Sequence, residues 1–406
     1  MPAASAAPGP HIFLVAGEES GDRLGAALIA ALRRQCQGNV RFSAVGGAQM
    51  AAQGVPSLFP LGDLAIIGFG AILARLPTIL RRIRETADAV IAAKPDVLVI
   101  IDSPEFTHRV ARRVRNRAPS IPIVDYVCPS VWAWRPGRAK AMRGYVDHVL
   151  ALLPFEPVEL KRLNGPPGSY VGHPLIEQLA DLRPNAEEAA RRLADPPLLL
   201  VLPGSRSAEI RRLAALFGAA VGEVARHYGA LDVVVPAVPR LAATVRAAVA
   251  DWPVKARVVI ELDEKHAAFR TARAALAKSG TATLELALAG IPMVVAYKVS
   301  LLEELVAHLL VKVKTVILAN LVLGETVIPQ LLQRDGTPEK LAGALLPLLA
   351  DSPERRRQLD AFARLDVVMG IGQRTPSDAA AAVILECAEA LNQPAREGVA
   401  SGRPTA

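Results

Sequence analysis

Short, nearly continuous apolar runs alternate with amphipathic stretches along this chain. HIFLVAG (11–17), VRFSAVGG (40–47), DVLVIID (96–102), IPIVDYV (121–127) and HVLALLP (148–154) are of the first kind, the pattern of strands covered on both faces in a parallel sheet. DRLGAALIAALRRQ (22–35), LPTILRRIRETADAVIAAK (76–94) and THRVARRVRNRA (107–118) lie between them and repeat apolar residues at helical spacing. This alternation predicts an α/β domain over residues 1–180. DLRPNAEEAARRLADPP (181–197) is a polar break and reads as a linker. A second series follows over residues 198–377, with strands expected at 198–205, 231–238, 256–262, 274–280 and 291–297. The expected architecture is two doubly wound, Rossmann-like domains facing a cleft. A helix at 378–392 is expected to close the chain and return to the first domain, and 393–406 to form a disordered tail.

Composition narrows the class. The chain is 51% hydrophobic with a mean hydropathy of +0.29, yet it has no apolar run of the roughly 18 residues a spanning helix needs. MPAASAAPGPHIF lacks a basic segment ahead of an apolar one, so it does not read as a secretory signal. Cys36, Cys128 and Cys387 have neither metal-ligand spacing nor an even count, which suits a reducing cytoplasm. The net charge of +8 is concentrated early, with 20 basic against 14 acidic residues in 1–180. Such an excess favours an anionic partner: nucleic acid, a phosphate-bearing substrate or an anionic lipid surface.

Candidate chemistry sits at the expected strand ends. CPSVWAWR places Trp132 and Trp134 beside Ser130 and Arg135. Rings and a guanidinium together suit an amphipathic anionic ligand, and packing of both tryptophans in the core is the alternative. AGEESGD (16–22) joins a strand to a helix. Its glycines permit a tight turn and its Ser20 or Asp22 suits helix capping as well as ligand contact. Asp102 ends a strand, where open α/β sheets bind ligands. It can take a proton from a hydroxyl or cap the next helix, and Glu105 is the other candidate cap. In LPGSR (202–206), Gly204 and Ser205 can turn backbone N–H groups toward a phosphate that Arg206 neutralises, the alternative being an ordinary loop with a solvated Arg206. Ser279, Gly280 and Thr281 open a second helix. Glu285 on its first turns pairs favourably with the helix dipole without any ligand. In 64–84, Ile66, Ile67, Phe69, Ile72 and Leu73 precede Arg81, Arg82 and Arg84. Apolar residues beside a basic run suit contact with an anionic bilayer, and equally a core helix with one solvated face.

Several of these segments together resemble the lipid-A-disaccharide synthase family. They are AGEESGD, VGGAQM (45–50), PDVLVIIDSPEF (95–106), CPSVWAWR, LLPFEP (152–157), YVGHPL (170–175), LPGSRSAEI (202–210), SGTATLELALAGIPMVVAYK (279–298) and the stretch from Asn320 to Gln333. The resemblance implies a GT-B glycosyltransferase that moves 2,3-diacylglucosamine from its UDP derivative to 2,3-diacylglucosamine 1-phosphate with inversion. It implies Asp102 as general base and an acceptor side formed by Glu19, Ser20, Asp22, Ser130, Trp132, Trp134 and Arg135. It also implies a UDP site at Gly204, Ser205, Arg206, Ser279, Gly280, Thr281, Glu285, Asn320 and Gln333. Residues alone would make Asn320 a turn or capping residue. Glu325, Thr326 and Gln330 depart from the charged pattern common in that family. Acylated substrates imply peripheral attachment to the cytoplasmic face of the inner membrane.

No Asp-x-Asp motif appears, so neither a metal nor a cofactor is expected, and helix N-termini with Arg206 would stabilise the leaving UDP. Two other readings fit the residues. One is a GT-B enzyme on a soluble UDP-sugar, such as a UDP-N-acetylglucosamine 2-epimerase. The other is a basic nucleic-acid-binding protein, for which the chain offers no base-reading or RNA-binding signature; no nucleic-acid partner is expected.

Overall fold

The computed structural model describes residues 8–64, 69–299 and 315–392. The chain forms two compact units, residues 1–174 with 374–406 and residues 175–373. The first holds a six-stranded, all-parallel sheet of order β2-β1-β3-β4-β5-β6. Its strands are β1 (His11–Ala16), β2 (Arg41–Val45), β3 (Val97–Ile101), β4 (Ile123–Tyr126), β5 (His148–Ala151) and β6 (Gly168–Tyr170). Alternate residues of β1 and β3 feed two separate cores. Phe13, Val15, Leu98 and Ile100 pack one face, and Ile12, Leu14, Val97, Val99 and Ile101 the other. Because both faces are covered by helices, the strands read as continuous apolar runs.

The second unit repeats the plan with order β12-β11-β10-β7-β8-β9, again all parallel. Its strands are β7 (Leu198–Leu202), β8 (Asp232–Pro236), β9 (Ala256–Val259), β10 (Ala274–Lys278), β11 (Met293–Tyr297) and β12 (Gln330–Leu332). Leu199, Val201, Phe217, Val233, Leu276 and Val294 are central to its core. β6 and β12 escape the sequence pattern, being three-residue edge strands with half-buried residues. The run at 256–262 stops being a strand at Val259, and a helix begins at Leu262.

The stretch 181–197, read above as a linker, belongs to the body of the second unit. It carries the helix Ala186–Leu193, started by an Asn185–Glu188 capping box. Arg192 donates to the carbonyls of Phe269, Arg270, Ala289 and Gly290, at 2.7–3.2 Å. Polar composition suggested solvent, but these side chains satisfy carbonyls at other element ends. The boundary of the first unit falls at Pro174 rather than 180. The closing helix, Pro376–Asn392, packs in the first unit against the helix Glu19–Gln35. Ala380, Ala381 and Ile384 are fully buried there, and Arg34 pairs with Asp378 at 2.7 Å. The tail 393–406 lies outside the described residues.

Candidate functional site

Asp102 follows the last residue of β3, and both it and Ser103 have left-handed backbone, φ 53° and 46°. Such conformations cost on the order of 1–3 kcal/mol each and persist where surroundings impose them. The impositions are visible. The Asp102 amide donates to the Tyr126 carbonyl (3.0 Å), and the Thr107 hydroxyl donates to the Asp102 carbonyl (2.6 Å). Gly17 allows the two loops to approach: a Cβ there would lie 2.6 Å from Ser103 Cβ. The carboxylate does not cap the next helix, whose N-cap is Phe106 with no side-chain cap bond. Instead Oδ1 accepts from the Ser103 amide (2.8 Å) and Oδ2 from the Ser20 hydroxyl (2.9 Å).

Ser20 is therefore tied to Asp102, while Asp22 has another task. The helix starts at Glu19, so Ser20 and Asp22 lie in its first turn and neither is its cap. Asp22 is buried and accepts from the amides of Gly47, Gln49 and Met50, at 2.7–3.1 Å. It caps the short helix Ala48–Ala52 and holds VGGAQM in place, with both of its oxygens engaged. Glu19 is exposed.

The tryptophan loop lies in the same unit and follows Val127, a β-branched residue at φ 94°. The two rings differ. Trp132 is half-buried; its indole N–H donates to Glu156 Oε1 at 3.1 Å and its ring packs edge-on to Phe155, 5.1 Å between centroids. Trp134 is 39% exposed, with the Arg135 guanidinium 4.4 Å from its ring centre. Ser130 is exposed. Glu105 gathers Arg138 (2.7 Å), Arg109 (3.5 Å) and Arg135 (3.8 Å), binding the Asp102 loop to this one. Arg138 chiefly holds the Glu105 carboxyl below its ordinary range. Glu156, within LLPFEP but not singled out above, is the anchor missed by sequence reasoning. It is 4% exposed and also accepts from the amides of Leu152 (3.0 Å) and Leu153 (2.9 Å). Burial pushes its carboxyl up to about 7.

In the second unit the strand ends of β7 and β10 are neighbours, with Leu202 beside Ala277. Gly204 has φ 131°, and a Cβ on it would meet Glu209 Oε2 at 2.5 Å. The Ser205 amide donates to that oxygen at 3.1 Å. Arg206 is 80% exposed at its side chain and lies 3.8 Å from Glu209. Lys278, also missed from the sequence, stands at 3.0 Å from Glu209. The Ser279 hydroxyl donates to the Val316 carbonyl (2.9 Å), Gly280 accepts from the Thr283 hydroxyl (2.8 Å), and Thr281 is exposed. Glu285 is ion-paired with Lys265 at 2.6 Å, a partner rather than the helix dipole alone.

Asn320 is buried and committed to the chain. Its Oδ1 accepts from the amides of Val327 and Ile328 (both 3.0 Å), and its Nδ2 donates to the Ile328 carbonyl (3.0 Å). Gln333 accepts from the Val299 amide at 2.7 Å. Two of the three departing residues are likewise engaged: Glu325 pairs with Arg364, and Gln330 accepts from the Thr315 hydroxyl at 3.1 Å, while Thr326 is exposed.

Of the membrane candidates, Ile66 and Ile67 lie outside the described residues. Phe69, Ile72 and Leu73 lie on the helix Phe69–Ala93. Arg81 and Arg84 are exposed on it, with Leu76 and Leu80 exposed at 38% and 40%. Arg82 is withdrawn: it donates to Asp63 (2.9 Å) and Glu85 (2.6 Å) and stacks on Phe59 at 4.4 Å. No helix among the described residues is long and apolar enough to cross a membrane, and none of their His, Cys, Asp and Glu side chains cluster in a metal-holding group of three.

The fold is that of GT-B proteins. Over 93% of this chain it superposes on a UDP-GlcNAc 2-epimerase from Neisseria meningitidis bound to UDP-GlcNAc (15% identity, all of that chain, TM-score 0.60). Over the same share it matches MurG from Acinetobacter baumannii (18% identity, 99% of that chain, TM-score 0.56). In sequence it is 61% identical to the lipid-A-disaccharide synthase of Nitrobacter hamburgensis over 384 residues, 95% of this chain and 97% of that one. It is also 61% identical to the one of Bradyrhizobium diazoefficiens over 378 residues, 93% and 96% of the two chains. The model of the lipid-A-disaccharide synthetase family matches residues 12–383, and the chain belongs to that family.

Proposed function

We propose that this enzyme transfers 2,3-diacylglucosamine from UDP-2,3-diacylglucosamine to 2,3-diacylglucosamine 1-phosphate, releasing UDP and lipid A disaccharide 1-phosphate. The observation that carries the reading is the Asp102 carboxylate. It is held at a strand end by Ser20 and the Ser103 amide in a backbone conformation that surrounding bonds enforce. It is not spent on a helix cap. A carboxylate so placed accepts the proton of the acceptor hydroxyl while that oxygen bonds to the donor's anomeric carbon and the bond to diphosphate breaks. One in-line displacement inverts the α-linked donor to a β-linked product. Trp134 and Arg135 supply an apolar face and a cation for an acylated sugar phosphate.

In the second unit, the Ser205 amide, Arg206 and Lys278 are donors and cations suited to a diphosphate. Asn320 and Gln333 act by shaping their loops. The acylated substrates would be met at an anionic membrane surface on the cytoplasmic side, through the segment 64–84 with Arg81 and Arg84. The test is direct: incubation with the two acylated sugars should yield UDP and disaccharide in equal amounts. UDP release without disaccharide, or neither product, would refute the assignment.

A further inference from the structure

The loop at the end of β7 already holds an anion, and that anion is part of the chain. Three groups converge on the Glu209 carboxylate: the Ser205 amide at 3.1 Å, the Lys278 ammonium at 3.0 Å and the Arg206 guanidinium at 3.8 Å. They come from the ends of two adjacent strands, β7 and β10, the side on which open α/β sheets bind ligands. Glu209 is 15% exposed and Lys278 18% exposed at the side chain. The ammonium also lies 5.4 Å from the centre of the Tyr297 ring, which limits its swing. A lysine is seldom this withdrawn without a partner, since its charge is costly to remove from water. Gly204 fits the same picture, because any side chain there would collide with Glu209. A carboxylate accepting from a backbone amide between two cations has the chemistry of a phosphate oxygen in the same cradle.

We infer that Glu209 is an internal counter-anion for the diphosphate of the donor, and that Lys278 is a diphosphate-binding residue which exchanges Glu209 for that diphosphate. The inference rests on the UDP-sugar reading above and adds to it Glu209 and the exchange of that carboxylate for the diphosphate at Lys278. Glu209 keeps the cations gathered and neutralised in the free protein, and it competes with the ligand for them. Removing its charge should therefore tighten diphosphate binding, whereas removing the Lys278 charge should weaken it.

UDP and uridine are titrated calorimetrically into the full-length wild type, Lys278→Met and Glu209→Gln, with thermal melts as the control for folding. Lys278→Met should weaken UDP about ten- to hundredfold, the range for one charge-assisted contact, and leave uridine unchanged. Glu209→Gln, which retains an acceptor for the Ser205 amide, should bind UDP several-fold more tightly, again with uridine unchanged. Wild type that ignores UDP would overturn the donor reading and this inference with it. Wild type that binds UDP while Lys278→Met binds it equally well would overturn the inference alone. So would an equal loss for UDP and uridine, which marks a collapsed loop. Glu209→Gln carries the test even if Lys278→Met fails to fold, since unchanged or weaker UDP binding would rule out a competing anion.

Discussion

Replacing Asp102 by Asn isolates proton acceptance from shape. The amide oxygen can still accept from the Ser103 amide, now made at 2.8 Å, and the Ser20 hydroxyl at 2.9 Å can turn to accept from the new NH₂. Two hydrogen bonds are thus kept in number, with loss of their charge assistance, so the fold should lose no more than about 1 kcal/mol. The Thr107 hydroxyl and Tyr126 carbonyl still pin the backbone of residue 102. What Asn cannot do is take the acceptor's proton. General-base catalysis contributes about 10²–10⁴-fold, or roughly 3–5 kcal/mol of barrier. The expected result is a kcat down by that factor, KM for either sugar near wild type and a melting transition within a few degrees of wild type. The assay is the initial rate of UDP release with both acylated sugars saturating, alongside a thermal melt. A near-wild-type kcat in a normally folded Asp102→Asn protein would refute the role, and Ser20→Ala should show a smaller loss of the same kind.

Arg206→Ala should weaken UDP binding less than Lys278→Met does, because an 80% exposed guanidinium is solvated in the free protein, and the effect should shrink in high salt; calorimetry at two ionic strengths decides. Glu156 has its carboxyl raised from 4.5 to about 7 by burial, so its contribution to stability is fully present below about 4.5 and is lost as pH rises through about 7. Wild type should therefore lose stability relative to Glu156→Gln over that window, by on the order of 3 kcal/mol, in urea melts at pH 4.5 and 8; a pH-independent difference would contradict the buried charge. Reversing Arg81 and Arg84 to Glu should release protein from anionic vesicles but leave turnover of short-chain, micellar substrates intact, since each exposed base near such a surface contributes about 1 kcal/mol; unchanged sedimentation with vesicles would move the membrane contact elsewhere. EDTA should leave turnover unaltered, and strong inhibition would point to a metal.

The apolar runs by themselves determined the ten longer strands, their parallel arrangement and the two-sheet plan, because a strand buried on both faces must be apolar throughout. The other two edge strands, β2 and β9, are longer and lie within apolar runs, whereas β6 and β12 have three half-buried residues each, too few to show a pattern. Asp102 was legible as a strand-end carboxylate, and so were the glycines that let loops meet. Long-range partners were not legible. That Asp22 caps a helix 25 residues away, that Glu156 holds Trp132, that Arg82 is withdrawn onto Asp63, and that Asn320 serves its own loop all depend on side chains meeting across the sequence. Asp, Glu, Asn and Arg have the same chemistry whether they face a ligand or an unsatisfied backbone group. Only the tertiary structure fixes which of those partners lies within hydrogen-bonding reach, about 3.2 Å for an N–H donor. The polar stretch 181–197 makes the same point. Its composition favours solvent, but Arg192 finds four carbonyls that packing had left open, and a segment read as a linker becomes part of a domain.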